Sequence, residues 1–359
     1  MSTARSISSP ILPEAIRAWD PEAISAFGLI DVGCSGGIDS FWESFGSALH
    51  ALGYDPLEAE VARLNATAPG PNVRYRAAFV GCEDYDSLFP PELRRDQTLS
   101  RDGHSFPLTS AAAWCEIFSV DYEKEKYNLG AERAYSEERV TLDTDPAVAW
   151  LPSADFLKVD TDGHDIEVLY GARKLLETSL LGVLVEAQFH GPAHPHSNTF
   201  ANIDGYLRDL GFSLFDLETF HYTDASLPGE FVHPLPAQTH AGPVQWADAL
   251  YLRDLRLGRY GGMYPAFEQT RGRLLKTACL MEMFGFPDAA ARLLVRLAAE
   301  SGGSFYRECL DLLAQRYRRA RSYEELTGRF RSVRDAFFPR PPAAHSPWSP
   351  ASLFRRRRP

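Results

Sequence analysis

Cysteine is scarce in this chain of 359 residues, and the few that occur form no pattern. The five cysteines are Cys34, Cys82, Cys115, Cys279 and Cys309. Their number is odd and no two are spaced as CxxC, so the sequence predicts neither a disulfide framework nor a structural zinc site. Reduced thiols are expected, as in a cytoplasmic protein.

Long apolar runs are also absent. No stretch approaches the roughly 18 uninterrupted apolar residues that a membrane-spanning helix needs, and the amino-terminal segment lacks the apolar core of a secretory signal. A cytoplasmic location is therefore expected. Hydrophobic residues nevertheless make up 45% of the chain and charged residues 24%, which is the balance of a globular protein with a substantial core.

Basic residues are in deficit, and their distribution is uneven. The formal net charge is -11, yet residues 271–359 hold 18 Lys and Arg against 8 Asp and Glu, whereas the first 270 residues hold 19 against 40. An acidic body argues against a nucleic-acid partner, which needs a positive cleft. The segment 339–359 is rich in proline and ends in four arginines before the last residue. It predicts a disordered basic tail that is suited to peripheral contact with an anionic membrane surface.

Short apolar runs alternate with helical patterns along the first 256 residues. This βαβ rhythm predicts a doubly wound, mostly parallel sheet. The predicted strands include 28–33, 73–80 and 156–160, and a helical pattern continues from the first of them to Leu49. From about residue 265 the pattern changes to helices that are each expected to have one apolar stripe and an opposite, arginine-bearing face.

These changes of pattern predict four parts. A lead-in helix lies within 1–26, and an α/β domain spans 27–256 with an insertion or lid at 82–140. A helical appendage spans 265–338, and the basic tail completes the chain. The lid is predicted because unstructured segments longer than about 15 residues in compact domains are usually functional or disordered.

The first candidate site motif is Asp31-Val-Gly-Cys-Ser-Gly-Gly37, which follows a strand and precedes a helix. Its glycines allow a tight turn and close approach of the backbone to a ligand. Asp55 ends the next strand, where a carboxylate binds ribose hydroxyls. The Gly-x-Gly-x-x-Gly spacing of dinucleotide-binding proteins is absent, which disfavours an NAD-dependent dehydrogenase. An adenosyl ligand without phosphates, such as S-adenosylmethionine, fits better, and a strand–helix turn without a ligand is the structural alternative.

The second motif is an acidic cluster between Phe156 and Gly171. Four acids lie within eight positions at the carboxyl end of a strand, namely Asp160, Asp162, Asp165 and Glu167. Ligands bind at this edge of open α/β sheets, so Asp160 and Asp162 are assigned to the site. Asp165 and Glu167 are assigned to the positive end of the following helix.

Together these motifs resemble the FkbM family of S-adenosylmethionine-dependent methyltransferases, over residues 27–255. Asp31–Gly37 is similar to the family's glycine-rich cofactor motif, and Tyr54–Pro56 to its Phe-Glu-Pro. Lys158–Asp165 is similar to its Lys-x-Asp-x-Glu-Gly-x-Glu signature. Asp replaces each Glu in the last two motifs. The resemblance implies a seven-stranded, Rossmann-like class I methyltransferase fold with a C-terminal helical appendage.

The resemblance also implies a reaction and a set of site residues. The reaction is methyl transfer from S-adenosylmethionine, with S-adenosylhomocysteine as product, to a hydroxyl of a sugar, glycan or natural product. The expected cofactor-binding residues are Asp31, Gly33, Cys34, Ser35, Gly37, Asp55, Ala78, Asp160 and Asp162. The expected catalytic residues are Asp160, Glu186 and His190, of which the histidine is a natural base near neutral pH. No metal is favoured, although Asp160, Asp162, Glu186 and His190 could alternatively hold a divalent cation.

A non-catalytic module is the alternative function. In that interpretation the α/β body is a degenerate methyltransferase, and the basic helices of Arg273–Arg334 dock an acidic partner. The retained glycines and acids favour the enzyme, since a decayed site would lose them first. The predicted partners are then a small-molecule or glycan acceptor and no nucleic acid, and self-association is left open.

Overall fold

The structure is a computed structural model of the protein. It describes residues 10–67, 70–91, 99–101, 104–106, 135–161, 163–189, 193–222, 238–239, 242–256, 260–302 and 304–337. The seven main strands are β1 (Phe27–Val32), β2 (Leu49–Asp55), β3 (Val73–Ala77), β4 (Phe156–Val159), β5 (Gly182–Gln188), β6 (Phe212–Tyr222) and β7 (Val244–Arg253).

Ten α-helices occur among the described residues. They are α1 (Leu12–Trp19), α2 (Glu58–Thr67), α3 (Asp165–Gly171), α4 (Arg173–Thr178), α5 (Phe200–Asp209), α6 (Tyr260–Met263), α7 (Arg271–Met283), α8 (Pro287–Ser301), α9 (Phe305–Arg318) and α10 (Tyr323–Phe337). Short 3-10 helices cover Ser40–Ala48, Tyr85–Leu88 and Val148–Trp150. None of the described helices is long and apolar enough to cross a membrane.

The strands form one sheet in the order β3-β2-β1-β4-β5-β7-β6, and Gln238–Thr239 adds a short strand beside β6. Strands β1 to β5 are parallel, whereas β7 runs antiparallel to both of its neighbours. The predicted fold is therefore confirmed: a doubly wound, seven-stranded, mostly parallel sheet followed by C-terminal helices. Two short pairs lie apart from it, Phe79–Val80 with Arg139–Val140 and Leu99–Arg101 with His104–Phe106.

Two predicted elements have different bounds in the structure. The helical pattern expected to continue to Leu49 is a 3-10 helix that ends at Ala48, broken by Gly46 with φ 53°, and Leu49 already belongs to β2. The strand predicted over 73–80 is divided: β3 ends at Ala77, and the N–H of Ala78 makes the last bond to β2 by donating to the carbonyl of Asp55. The next two residues then pair with Arg139–Val140.

The two faces of the sheet have separate cores. One face packs against α3, α4 and α5. The other carries aromatic rings from β1, β4 and the first 3-10 helix. Phe27 stacks on Phe45 at 3.8 Å, Trp42 lies 4.8 Å from Phe156, and Phe156 stacks on Phe284 at 5.5 Å between ring centroids. Trp42 is fully buried and belongs to this core.

Helix α7 differs from the predicted amphipathic helix. All ten residues from Leu274 to Met283 are buried, including Lys276 and Glu282. Glu282 accepts the backbone N–H groups of Ile11 at 2.9 Å and Leu12 at 2.7 Å, so it caps the first turn of α1. The prediction of one apolar stripe with an arginine-bearing opposite face is therefore wrong for α7, because its polar side chains bind buried partners elsewhere in the chain.

Contacts divide the chain into two compact units, Met1–Arg296 and Leu297–Pro359. The segment 265–338, predicted as one helical appendage, is thus shared between them, and α7 belongs to the unit of the sheet. Within the second unit α9 and α10 pack together, and the backbone N–H of Tyr323 donates to Asp311 at 2.7 Å. The predicted tail at 339–359 and most of the predicted lid lie outside the described residues.

At the far end of β7 the guanidinium of Arg253 is fully buried. It donates to the carbonyls of Leu180 at 2.7 Å and Leu210 at 3.1 Å, to the hydroxyl of Tyr260 at 2.6 Å, and to the carbonyl of Leu176. Aromatic rings also face its guanidinium carbon, at 4.3 Å for Phe212 and 4.1 Å for Phe267. Arg253 thereby joins β7 to α4, to the end of α5 and to α6.

Candidate active site at the carboxyl ends of the strands

Four of the predicted site residues each come directly after a residue that is paired across the sheet, and these paired residues form one row. Val32 pairs with Tyr54 and with Val159, and Val159 pairs with Val185. The next residues along these four parallel strands are Gly33, Asp55, Asp160 and Glu186. Since equivalent positions on adjacent parallel strands lie about 4.8 Å apart, the fold brings these four predicted residues to one edge of the sheet.

Gly33 begins the turn after β1 with φ +82°, a conformation that favours glycine. A Cβ at Gly33 would lie 1.8 Å from the backbone oxygen of Asp160, so no other residue fits there without displacing β4. Ser35 and Gly36 are exposed, and a Cβ on Gly36 would meet nothing within 4 Å. Gly37 also has a positive φ, +96°. The turn therefore presents open backbone next to the strand ends.

Cys34 lies inside this turn with its thiol buried against β2. Burial, together with the nearby carboxylates of Asp31 and Asp55, raises the pKa of this thiol. A thiol that stays protonated is a poor nucleophile. Cys34 can therefore fill space next to a ligand without taking part in covalent chemistry.

Lys158 connects three parts of the site. Its ammonium lies 3.1 Å from Oδ1 of Asp31, 3.3 Å from Oδ2 of Asp160 and 3.4 Å from the carbonyl oxygen of Gly33. Lys158 and Asp31 are buried, whereas the Asp160 side chain is 47% exposed. Burial raises the pKa of Asp31 to about 6, with the Lys158 ammonium acting in the opposite direction. Lys158 thus holds one oxygen of the Asp160 carboxylate, while the exposed part of this side chain is accessible to a ligand.

Asp55 ends β2 as predicted and is 7% exposed. Its Oδ1 accepts the N–H of Leu57 at 2.8 Å, and its second oxygen makes no hydrogen bond to any described residue. Burial raises the pKa of this carboxyl group. Ala78, the predicted residue beside it, is buried, and its N–H donates to the carbonyl of Asp55 at 3.2 Å.

The two acids assigned to the helix terminus make structural contacts. Asp165 is fully buried and accepts hydrogen bonds from Thr161, from the N–H of Gly163 and from the side chain of Asn198. Glu167 accepts the N–H of Cys82 at 3.3 Å. These carboxylates hold the loop after β4 and the start of the segment at 82, which agrees with their assignment outside the catalytic set.

Two predicted site residues, Asp162 and His190, lie outside the described residues. The neighbouring histidines of the loop after β5 are described and belong to an aromatic cluster. His194 stacks on Phe89 at 4.7 Å, and Nδ1 of His196 lies 3.0 Å from the hydroxyl of Tyr170. Burial lowers the pKa of His196, and His194 adds to this. No three His, Cys, Asp or Glu side chains of the described residues are grouped as metal ligands.

Asp248 is a residue of this edge that the sequence analysis missed. It pairs with Glu186 of β5 on one side and with Glu218 of β6 on the other, so it extends the row of strand-end acids. Burial raises the pKa of Asp248 to about 7, and the carboxylates of Asp160 and Glu218 add to this. The available signal was a single acid within the apolar run Trp246-Ala-Asp-Ala-Leu-Tyr.

This raised pKa predicts a specific pH dependence of stability. The folded state binds the Asp248 proton more tightly than the unfolded state, whose Asp pKa is about 3.9, so stability is lost as the pH rises from about 4 through 7. We expect Asp248→Asn to melt at a higher temperature than the wild type at pH 8, with the difference closing towards pH 4. Asp209→Asn, exposed at the end of α5, is the control. An equal difference at both pH values would contradict the prediction.

Several solved methyltransferase structures show weak similarity to the chain. One is the magnesium protoporphyrin IX methyltransferase ChlM of Synechocystis PCC 6803 with bound SAM, at 11% identity, covering 67% of this chain and 77% of that one, with a TM-score of 0.27. Another is the N-terminal domain of EvdMO1 with SAH bound, at 11% identity, 68% and 82% coverage and a TM-score of 0.28. A SAM-dependent methyltransferase of Anabaena variabilis has 12% identity, 68% and 88% coverage and a TM-score of 0.27.

These structural likenesses are weak, and the fold assignment rests on the strand order itself. No curated protein matches the chain significantly. A family model does match: residues 124–214 fit the model described as the methyltransferase FkbM domain. The matched range contains β4, the acidic loop, β5 and α5, and therefore Asp160 and Glu186. The resemblance to the FkbM methyltransferases is confirmed over residues 124–214, the range that matches the model of this methyltransferase domain.

Proposed function

We propose that the protein transfers a methyl group from S-adenosylmethionine to a hydroxyl of a sugar, glycan or natural product. The observation that carries this proposal is the row Gly33, Asp55, Asp160 and Glu186 at the ends of four adjacent parallel strands. Ligands of open α/β sheets bind at this edge. The match to the FkbM methyltransferase domain supports methyl transfer as the reaction.

The residues at this edge suit S-adenosylmethionine chemically. The second oxygen of Asp55 is placed to accept a ribose hydroxyl, and the exposed turn at Ser35 and Gly36 gives a ligand access to backbone. Asp31 and Asp160 outnumber the cation of Lys158, so the site favours a ligand with positive charge. When bound, S-adenosylmethionine supplies a methyl group on a positively charged sulfur, which is a good leaving group.

The chain's own contribution is then to position the acceptor and to remove its proton. Asp160 projects an exposed carboxylate from β4, and the half-buried Glu186 follows in the next strand. We assign Asp160 to orientation of the cofactor or the acceptor. Glu186 is assigned to the acceptor proton together with His190, which comes two positions after Gln188 in the sequence.

Binding of the cofactor is the direct test. Calorimetry of the full chain with S-adenosylmethionine and with S-adenosylhomocysteine should show saturable binding of both. Incubation with extracts fractionated into sugars, glycans and small molecules should then yield a product whose mass increases by one methyl group in place of a hydrogen. If neither compound binds, the protein is a non-catalytic module and the proposal is wrong.

Replacing Asp55 with alanine should weaken S-adenosylmethionine binding by a factor of about ten or more, because a hydrogen bond to a charged group contributes about 1.5–3 kcal/mol. The measurement is calorimetry at pH 7.5. Asp143→Ala is the matched control, because Asp143 also accepts backbone N–H groups, those of Lys174 and Leu175 at the start of α4. It should lower the melting temperature and leave affinity unchanged. Unchanged affinity in Asp55→Ala would show that the ribose is held elsewhere.

A further inference from the structure

Lys158 has an unusual position for a lysine. It lies within the short, fully buried strand β4, directly opposite Asp31 of β1 and two residues before Asp160. Its ammonium contacts both carboxylates and the carbonyl of Gly33, all within 3.4 Å. A flexible side chain held by three acceptors from two strands is fixed in one geometry.

The contacts join a paired strand to residues that lie just beyond the paired part of the sheet. Asp31 lies within β1, where backbone pairing is complete, whereas Gly33 and Asp160 lie just beyond the last paired residues Val32 and Val159. The N–H of Asp160 donates to the carbonyl of Val32 at 3.0 Å. Lys158 adds a second connection next to this hydrogen bond, because its ammonium contacts both the carbonyl of Gly33 and the carboxylate of Asp160. It therefore holds the glycine turn and the end of β4 together.

Lys158 also sets the charge of the site. Burial alone would lower its pKa, but the carboxylates of Asp31 and Asp160 raise it above the usual lysine value. With both acids ionised and Lys158 protonated, the group carries one net negative charge at neutral pH. Without the lysine, no cation would offset the burial of Asp31 near the Asp160 carboxylate, so the pKa of Asp31 would rise further.

We propose that Lys158 is a positioning residue for the cofactor, which directs the Asp160 carboxylate to the strand edge and joins it to the glycine turn. This proposal rests on the proposed function. It predicts that the cation determines affinity for S-adenosylmethionine through Asp160, in addition to any contribution to folding. In a variant without the cation, Asp31 holds its proton more tightly, so binding of the positively charged cofactor should be accompanied by release of that proton.

The test compares Lys158→Met with Lys276→Met. Lys276 forms the equivalent buried pair with Asp155 at 2.8 Å, at the opposite end of the sheet, and the exposed side-chain fractions are 11% and 3% in both pairs. Both variants should lose stability. Calorimetry is carried out at pH 7.5 in two buffers of different ionisation enthalpy. Only Lys158→Met should bind S-adenosylmethionine at least tenfold more weakly than the wild type. Only this variant should also release a proton on binding. Lys276→Met should bind like the wild type, without added proton release.

Two further variants keep the test decisive. If Lys158→Met does not fold, Asp31→Asn combined with Lys158→Met removes both charges of the buried pair, and Asp160 still loses its contact with Lys158, so affinity should still fall tenfold. Lys158→Arg retains the charge and should bind within a few-fold of the wild type. Equal affinity of a folded Lys158→Met and the wild type would overturn the proposal while leaving the proposed function intact. A wild type that does not bind S-adenosylmethionine would overturn the proposed function, and this proposal with it.

Discussion

Replacing Arg253 with methionine should destabilise the protein by about 4 kcal/mol or more, because each buried carbonyl left without a donor costs about 1–3 kcal/mol. The carbonyls of Leu176, Leu180 and Leu210 all lose their donor in this variant. The contacts of the guanidinium with Phe212 and Phe267 are lost as well. Methionine can fill part of the volume but supplies no hydrogen-bond donor.

Urea unfolding of the two proteins measures this difference. The matched control is Arg256→Met, three residues further along the chain, where the arginine forms a half-exposed ion pair with Asp254 at 2.7 Å. Such pairs contribute about 0–1 kcal/mol, so the control should unfold close to the wild type. An Arg253→Met variant that unfolds as late as the Arg256→Met control would show that the buried guanidinium adds no net stability.

Ending the chain after residue 270 should prevent formation of a soluble fold. The truncation removes α7, and with it the carboxylate of Glu282 that caps α1 and the ring of Phe284 that stacks on Phe156. It also removes the ammonium of Lys276, which leaves Asp155 as a buried charge without its partner. Loss of one partner of a buried ion pair alone costs about 3–5 kcal/mol, so the three losses together should exceed the stability of an ordinary domain.

The control for this result is a truncation that removes fewer residues. A chain that ends after Ser301 keeps α7 and α8 and should remain soluble, with a cooperative thermal transition, because α7 belongs to the same compact unit as the sheet. Circular dichroism and size-exclusion chromatography of the two truncated proteins distinguish the outcomes. A folded, monomeric protein ending at residue 270 would contradict the assignment of α7 to the core of the sheet unit.

Most of the fold and part of the candidate site followed from local sequence patterns. Parallel strands end at the same edge of a sheet, so the predicted strand ends at Gly33, Asp55 and Asp160 had to meet once the βαβ order was recognised. The apolar run 181–186 placed Glu186 at the same edge. These predictions needed only the pattern along each strand and the connection between strands.

The remainder depended on partners that are distant in the chain. In the sequence Lys158 is simply one lysine of a motif. Its contact with Asp31 could not be predicted, because Asp31 is 127 positions away. Asp248 lies on β7, which joins the sheet antiparallel, so its pairing with Glu186 cannot be read from a βαβ pattern. In α7 the pattern predicted a polar, arginine-bearing face, whereas Lys276 and Glu282 are bound in the interior by Asp155 and the amino terminus of α1.

Each site residue lies one position beyond the row of paired residues Val32, Tyr54, Val159 and Val185. This placement affects how the sequences of proteins with this sheet can diverge. The spacing of Gly33, Asp55, Asp160 and Glu186 is set by backbone pairing within the sheet, and the lengths of the connections between strands do not enter it. Segments such as 82–140 can therefore be lengthened, shortened or exchanged while the four positions keep their separations. Acceptor preference can thus be altered by grafting a connection, whereas adding one residue inside β4 would turn every side chain beyond it to the opposite face.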